Sequence, residues 1–130
     1  MKKLTLIFCL TFLLGTVTMS GSAFAIDGKE LYCKCEYEKW CPFGLIFSDK
    51  KVHHYIIQGY QTKKHNSATY KLVGSRYIEW RNTSEGMNYS LDRTTLKLDV
   101  FGSTCEVFTN GGAIKQIQKV IDQAKTKNKL

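Results

Sequence analysis

Ala68 to Phe101 reads ATYKLVG, SRYIEWRN, TSEGMNYSLDR, TTLKLDVF, and this stretch decides the fold class. Apolar and aromatic residues alternate with polar ones inside each short run, and Gly, Ser and Asn punctuate the runs. Alternation places Tyr70 with Leu72 on one face, then Ile78 with Trp80, Tyr89 with Leu91, and Leu96 with Leu98 and Val100. Period-two alternation between turn signals specifies antiparallel strands with one buried face. The segment is a meander, with strands expected over about 68–73, 76–81, 87–92 and 96–101.

Working outward toward the N-terminus, Glu30 to Glu36 reads as a first strand, with Leu31, Cys33 and Cys35 on one face. Phe43–Phe47 and Val52–Tyr60 supply two more, joined by the turn-like Ser48-Asp49-Lys50-Lys51. Ile26 to Lys29 reads as a short polar lead-in. The polar run Gln61 to Ser67 reads as the longest mobile connection. Toward the C-terminus, Thr104 to Phe108 is a last short strand. After Thr109-Asn110-Gly111-Gly112 the period changes: Ile114, Ile117, Val120, Ile121 and Ala124 fall on one helical stripe. A C-terminal amphipathic helix is expected over about 113–126, packed across the sheet or over a barrel mouth, with the basic tail from Lys125 fraying. The fold class is mainly β: an antiparallel meander, curved sheet or small barrel, of about 7–8 strands with a C-terminal helix.

Residues 1–25 read differently. Lys2 and Lys3 precede the apolar run Leu4 to Leu14, and Ala23-Phe24-Ala25 fits a small-residue cleavage site. These are the parts of an export signal, and the run is too short for a ~30 Å hydrocarbon core. The expectation is a bacterial signal peptide cleaved after Ala25, one domain over 26–130, no transmembrane segment in the mature chain, and a periplasmic or secreted location. Cys9 would leave with the leader. Cys33, Cys35, Cys41 and Cys105 remain, an even number in a small exported domain, which argues for two disulfides. Cys33 with Cys35 is disfavoured, because residues two apart on a strand point the same way. Of the other two pairings, Cys35–Cys41 with Cys33–Cys105 is preferred to Cys33–Cys41 with Cys35–Cys105. A zinc site from the same thiols is disfavoured by the Cys-x-Cys spacing and the export signal.

The chain carries 19 Lys and Arg against 11 Asp and Glu, a formal charge of +8. That balance favours an acidic envelope polymer or an anionic surface as partner, and no specific nucleic acid is predicted. The candidate binding residues are Arg93, at the end of Tyr89-Ser90-Leu91-Asp92-Arg93, and the aromatic–basic mixture Tyr77, Trp80, Arg76, Arg81, Lys63 and Lys64. Each has an ordinary structural counterpart: a hairpin-end arginine, strand aromatics, solvated lysines. His53 and His54 are adjacent on a strand and so face opposite ways; surface imidazoles are the default, and one of them with His65 lacks a third metal ligand. Glu79, Glu85 and Asp92 form no distinctive acid pair. No catalytic residue, metal or cofactor is indicated.

Tyr77-Ile78-x-Trp80, then Tyr89-x-Leu91-Asp92-Arg93-x-Thr95, then Cys105 resembles an uncharacterised family of small signal-peptide-bearing bacterial β-proteins. The likeness spans Arg76 to Cys105 and implies no activity. Secreted β-barrel inhibitors of c-type lysozyme share a signal, a disulfide and a small barrel, but their Ser-Gly-x-x-Tyr loop has no counterpart in Gly74-Ser75-Arg76-Tyr77. The expected function is an exported, non-enzymatic binding or accessory protein. The alternatives are a small secreted hydrolase of an anionic polymer and a lysozyme-type inhibitor presenting the loop Asn82 to Gly86.

Overall fold

The computed structural model describes residues 26–36 and 41–127. The expected signal peptide and the centre of the Cys35–Cys41 loop lie outside the described residues. Among the described residues eight antiparallel strands follow one another in sequence order: β1 (Glu30–Lys34), β2 (Phe43–Ser48), β3 (Lys51–Gln58), β4 (Gln61–Val73), β5 (Tyr77–Asn82), β6 (Met87–Asp92), β7 (Lys97–Leu98) and β8 (Ser103–Phe108). β8 pairs back onto β1, so the meander closes into an up-and-down barrel. Closure removes the free edges that an open sheet would leave.

The alternation read from the sequence becomes the inside of this barrel. Tyr70, Trp80 and Tyr89 stand opposite one another across β4, β5 and β6, as do Leu72, Ile78 and Leu91, with Leu98 of β7 completing the second rung. Phe47 meets Tyr70 and Trp80 edge to face at 5.3 and 6.0 Å, and Trp80 meets Tyr89 at 5.4 Å. These rings fill the waist of the barrel, and pockets open at its two ends.

Cys33 and Cys105 are directly opposed in the β1–β8 ladder and joined as a disulfide at the closing seam. The second bridge is Cys35–Cys41. The preferred pairing is therefore the observed one. With its ends 72 positions apart in sequence, the seam bridge restricts the unfolded chain enough to contribute about 4 kcal/mol in the chain-entropy model.

The helix, α1 (Gly112–Lys127), lies on the outer wall against β1 and β2, with β4 and β8 beside it. Ala113, Ile117 and Ile121 are buried against Tyr32, which points outward from β1. Burying each isoleucine contributes roughly 1.5–3 kcal/mol. Gly44 makes this approach possible: a Cβ there would sit 3.0 Å from Cδ1 of Ile117. The helix brings no acidic residue in its first turn. Its cap comes from β1, where the buried Glu30 accepts hydrogen bonds from the amides of Gly111 (2.7 Å) and Ala113 (3.1 Å).

Four expectations need correction. Gln61 to Ser67 is no loop but the first half of β4, at 13 residues the longest strand; its polarity reflects outer positions and the barrel end, where no apolar face is needed. The lead-in is not wholly polar in role, because Ile26 is buried in the core and Gly28 donates to the Phe47 carbonyl, extending the wall. β7 shrinks to Lys97–Leu98, since Leu96 and Phe101 adopt positive φ (58° and 57°) and bend the chain at both ends. The helix continues through Lys125 to Lys127 rather than fraying at Lys125. The turn at Asp49-Lys50 is as expected, with both residues at positive φ (53° and 61°), the geometry of a tight two-residue hairpin.

Candidate functional site

The end of the barrel that carries Cys35–Cys41 is hollow. A pocket of about 270 Å3 opens there between β2, β3, β4, β6 and the turn before β8. Phe43, Ile56, Met87 and Phe101 supply apolar walls; His54, His65, Glu85 and Tyr89 supply the polar groups.

His54 and His65 meet because β3 and β4 change register between His54 and Tyr55. His54 pairs with Asn66 and Tyr55 with Lys64, so His65 is the extra residue of a bulge. A bulge re-aims a side chain and frees it from strict alternation. The two imidazoles stand edge to face, 5.8 Å between centroids. Phe43 and Tyr89 flank His54 at 4.9 and 6.1 Å.

Glu85 arrives from the β5–β6 loop. The side-chain oxygen of Asn82 accepts from the amides of Ser84 (3.2 Å) and Glu85 (3.3 Å) and from the Ser84 hydroxyl (2.7 Å), folding the loop back over the mouth. One Glu85 oxygen then meets Nε2 of His65 at 2.8 Å, and the other accepts from the Tyr89 hydroxyl at 2.9 Å. Burial, then the bond to Glu85, hold the Tyr89 phenol far above its ordinary range. Both carboxylate oxygens are thus engaged inside the protein.

His54 is not. It is only 6 % exposed, and among the described residues neither Nδ1 nor Nε2 has a hydrogen-bond partner. Burial is the main cause that pushes its pKa down to about 4, with Glu85 opposing and His65 reinforcing the shift. The ring is neutral at pH 7. A buried polar group left unpartnered is destabilising by roughly 1–3 kcal/mol, so its place in an apolar pocket calls for an explanation.

Two other concavities are less suited to a ligand. A larger cleft of about 640 Å3 runs over the outer face of β4 to β6. Several of its polar groups satisfy one another: Arg81 donates to Asn88 at 3.1 Å, and Asp99 accepts from the Ser90 amide at 2.9 Å. At the opposite barrel end Ile26, Phe47, Ile78 and Leu91 line a dimple of about 270 Å3 flanked by Lys29 and Arg93.

The binding residues expected from the sequence are dispersed. Trp80 turns into the core and offers no exposed stacking face. Arg76 pairs with Asp92 at 2.8 Å and lies 5.4 Å over the Tyr77 ring. Asp92 is drawn down to about 2, chiefly by that arginine. Arg93 donates to the Ser75 carbonyl at 3.3 Å, and its own amide donates to the Arg76 carbonyl, so it holds the hairpin end. Arg81 faces outward elsewhere, and Lys63 and Lys64 sit exposed on the first half of β4. His53 does point opposite to His54, with Ser67 at 2.6 Å and Ser48 at 3.0 Å, but the default of surface imidazoles is overturned for His54. The sequence signal that pointed inward was the alternation itself: Val52, His54 and Ile56 share one face of a strand.

Among the described residues no group of three or more His, Cys, Asp or Glu side chains is placed to hold a metal ion. No helix among them is long and apolar enough to cross a membrane. The chain matches no protein-family model, no curated protein and no solved structure.

Proposed function

We propose that this protein is an exported binding protein that takes a small, largely apolar molecule into the disulfide-bearing mouth of its barrel. The observation that carries the reading is His54: a neutral imidazole, buried in an apolar pocket, with both nitrogens unpartnered. Ligand sites combine mainly apolar walls with a few placed polar groups that fix orientation, and eight-stranded barrels are wide enough to hold one small ligand. A bound molecule that hydrogen-bonds His54 removes the penalty of burying its ring nitrogens unpartnered. The leader-like residues 1–25 and the two disulfides favour an oxidising compartment outside the cytoplasm.

The test uses N-phenyl-1-naphthylamine, a neutral dye that brightens in apolar surroundings. The expected result is binding at one site, with Met87→Trp, which fills the pocket from its wall, abolishing the signal while the circular dichroism spectrum is retained. Absence of dye binding, or equal binding by Met87→Trp, overturns the reading.

A further inference from the structure

The pocket's chemistry narrows the class of ligand, and this narrowing rests on the binding reading above. Its walls are unusually rich in rings: Phe43, His54, His65, Tyr89 and Phe101. His54 meets His65 and Tyr89 edge to face and Phe43 at a tilt, and rings set around a gap favour a flat aromatic guest, which meets them in offset or T-shaped contacts. Size sets a second limit. A cavity of roughly 150 Å3 accommodates benzene, so a pocket of about 270 Å3 suits two fused rings better than one.

The polar groups select among such guests. A neutral imidazole offers one N–H donor and one acceptor nitrogen, and in His54 both are unused. A hydroxyl both donates and accepts, so it serves whichever nitrogen faces the guest. Among the described residues a guest carboxylate finds no free cation at the wall. The nearest candidate, His65, already directs Nε2 at Glu85, and both Glu85 oxygens are taken, by His65 and by Tyr89. An anion would therefore enter beside a carboxylate without a counter-charge of its own. A plain hydrocarbon fills the space but leaves His54 as it was.

We infer that the pocket is a site for a neutral, hydroxylated aromatic molecule of about two rings, its hydroxyl on the His54 imidazole and its ring plane among Phe43, Tyr89 and Phe101.

Three probes of one shape separate the terms: 2-naphthol, naphthalene and 2-naphthoate, each measured by displacement of the bound dye at pH 7. The expected order places 2-naphthol about tenfold or more tighter than naphthalene, the size of one hydrogen bond to a buried, otherwise unpartnered group, and 2-naphthoate weakest. In His54→Phe the advantage of 2-naphthol over naphthalene disappears while naphthalene still displaces the dye. With 15N-labelled histidine, 2-naphthol shifts the His54 ring nitrogens and naphthalene does not. If the dye binds but naphthalene or 2-naphthoate equals 2-naphthol, or if His54→Phe keeps the hydroxyl preference, the ligand class is wrong and the pocket reading stands. If the dye itself fails to bind, both fall.

Discussion

Replacing Glu30 by Ala removes the side-chain cap at the N-terminus of α1 and tests whether a strand on the far side of the sequence holds the helix in place. Two amides lose a charged acceptor: Gly111, at 2.7 Å, and Ala113, at 3.1 Å. Ala113 is fully buried, so water cannot take over its bond. Hydrogen bonds to charged groups contribute about 1.5–3 kcal/mol each, and a carboxylate at a helix N-terminus adds about 0.3–1 kcal/mol. Gly111 is only partly buried and recovers some of its loss from solvent. The net destabilisation is then about 2–4 kcal/mol, a melting temperature lower by on the order of 10–20 °C for a domain of this size. Glu30→Gln keeps one acceptor oxygen and should lose about half as much. Urea unfolding followed at 222 nm gives the free energies, and hydrogen exchange at Ala113 to Ile117 shows whether the loss is centred on the first helical turns. Should Glu30→Ala lie within about 0.5 kcal/mol of the parent, or should Gln prove no better than Ala, the capping argument is refuted.

Further outcomes follow from the same geometry. His54→Phe should make the empty protein more stable by about 1–2 kcal/mol, because an unpartnered buried ring is replaced by an apolar one of similar shape. It should also flatten the acid limb of stability. With His54 at about 4 when folded against 6.5 unfolded, the unfolded chain binds the proton more readily. This histidine's contribution is complete above about pH 6.5 and is lost as pH falls toward 4, on the order of 3 kcal/mol; denaturant titrations of parent and variant from pH 7 to 4 measure the difference. Replacing Cys33 and Cys105 together by Ala should cost about 4 kcal/mol through the 72-residue separation they close, read as a lower urea midpoint. Gly44→Val should force Ile117 out of its seat and destabilise by about 1–3 kcal/mol, with near-UV changes at Tyr32; an unchanged midpoint would contradict the close approach of α1.

Much of the barrel was legible because alternation survives wherever one face is buried. Tyr70, Leu72, Ile78, Trp80, Tyr89, Leu91, Leu98 and Val100 all line or pack into the interior. The helical stripe at Ile117 and Ile121 was equally plain. What escaped were features that depend on a neighbour. Gln61 to Ser67 looks like a loop because its strand end runs beyond the filled waist. Tyr32 and Glu30 sit on the polar face of β1 yet are buried, since α1 covers that face. The pocket depends on a one-residue bulge, which no periodicity announces, and on Glu85, brought back by an Asn82 turn. Of the expected binding residues, Trp80 was assigned to an exposed patch on composition, although its own alternation with Ile78 put it inside.

The seam between β1 and β8 has a bearing on how the molecule fails. Any eight-stranded ring must begin as a ribbon with two bare margins, each a template for a neighbouring chain. Here the margins belong to the strands farthest apart in sequence, so their pairing carries the largest loop-closure penalty in the fold. Once Cys33 and Cys105 are bonded, a local opening elsewhere in the wall no longer separates those two margins. Reduction restores that hazard: the reduced chain should be the aggregating form, and oxidation a safeguard of solubility as much as of stability.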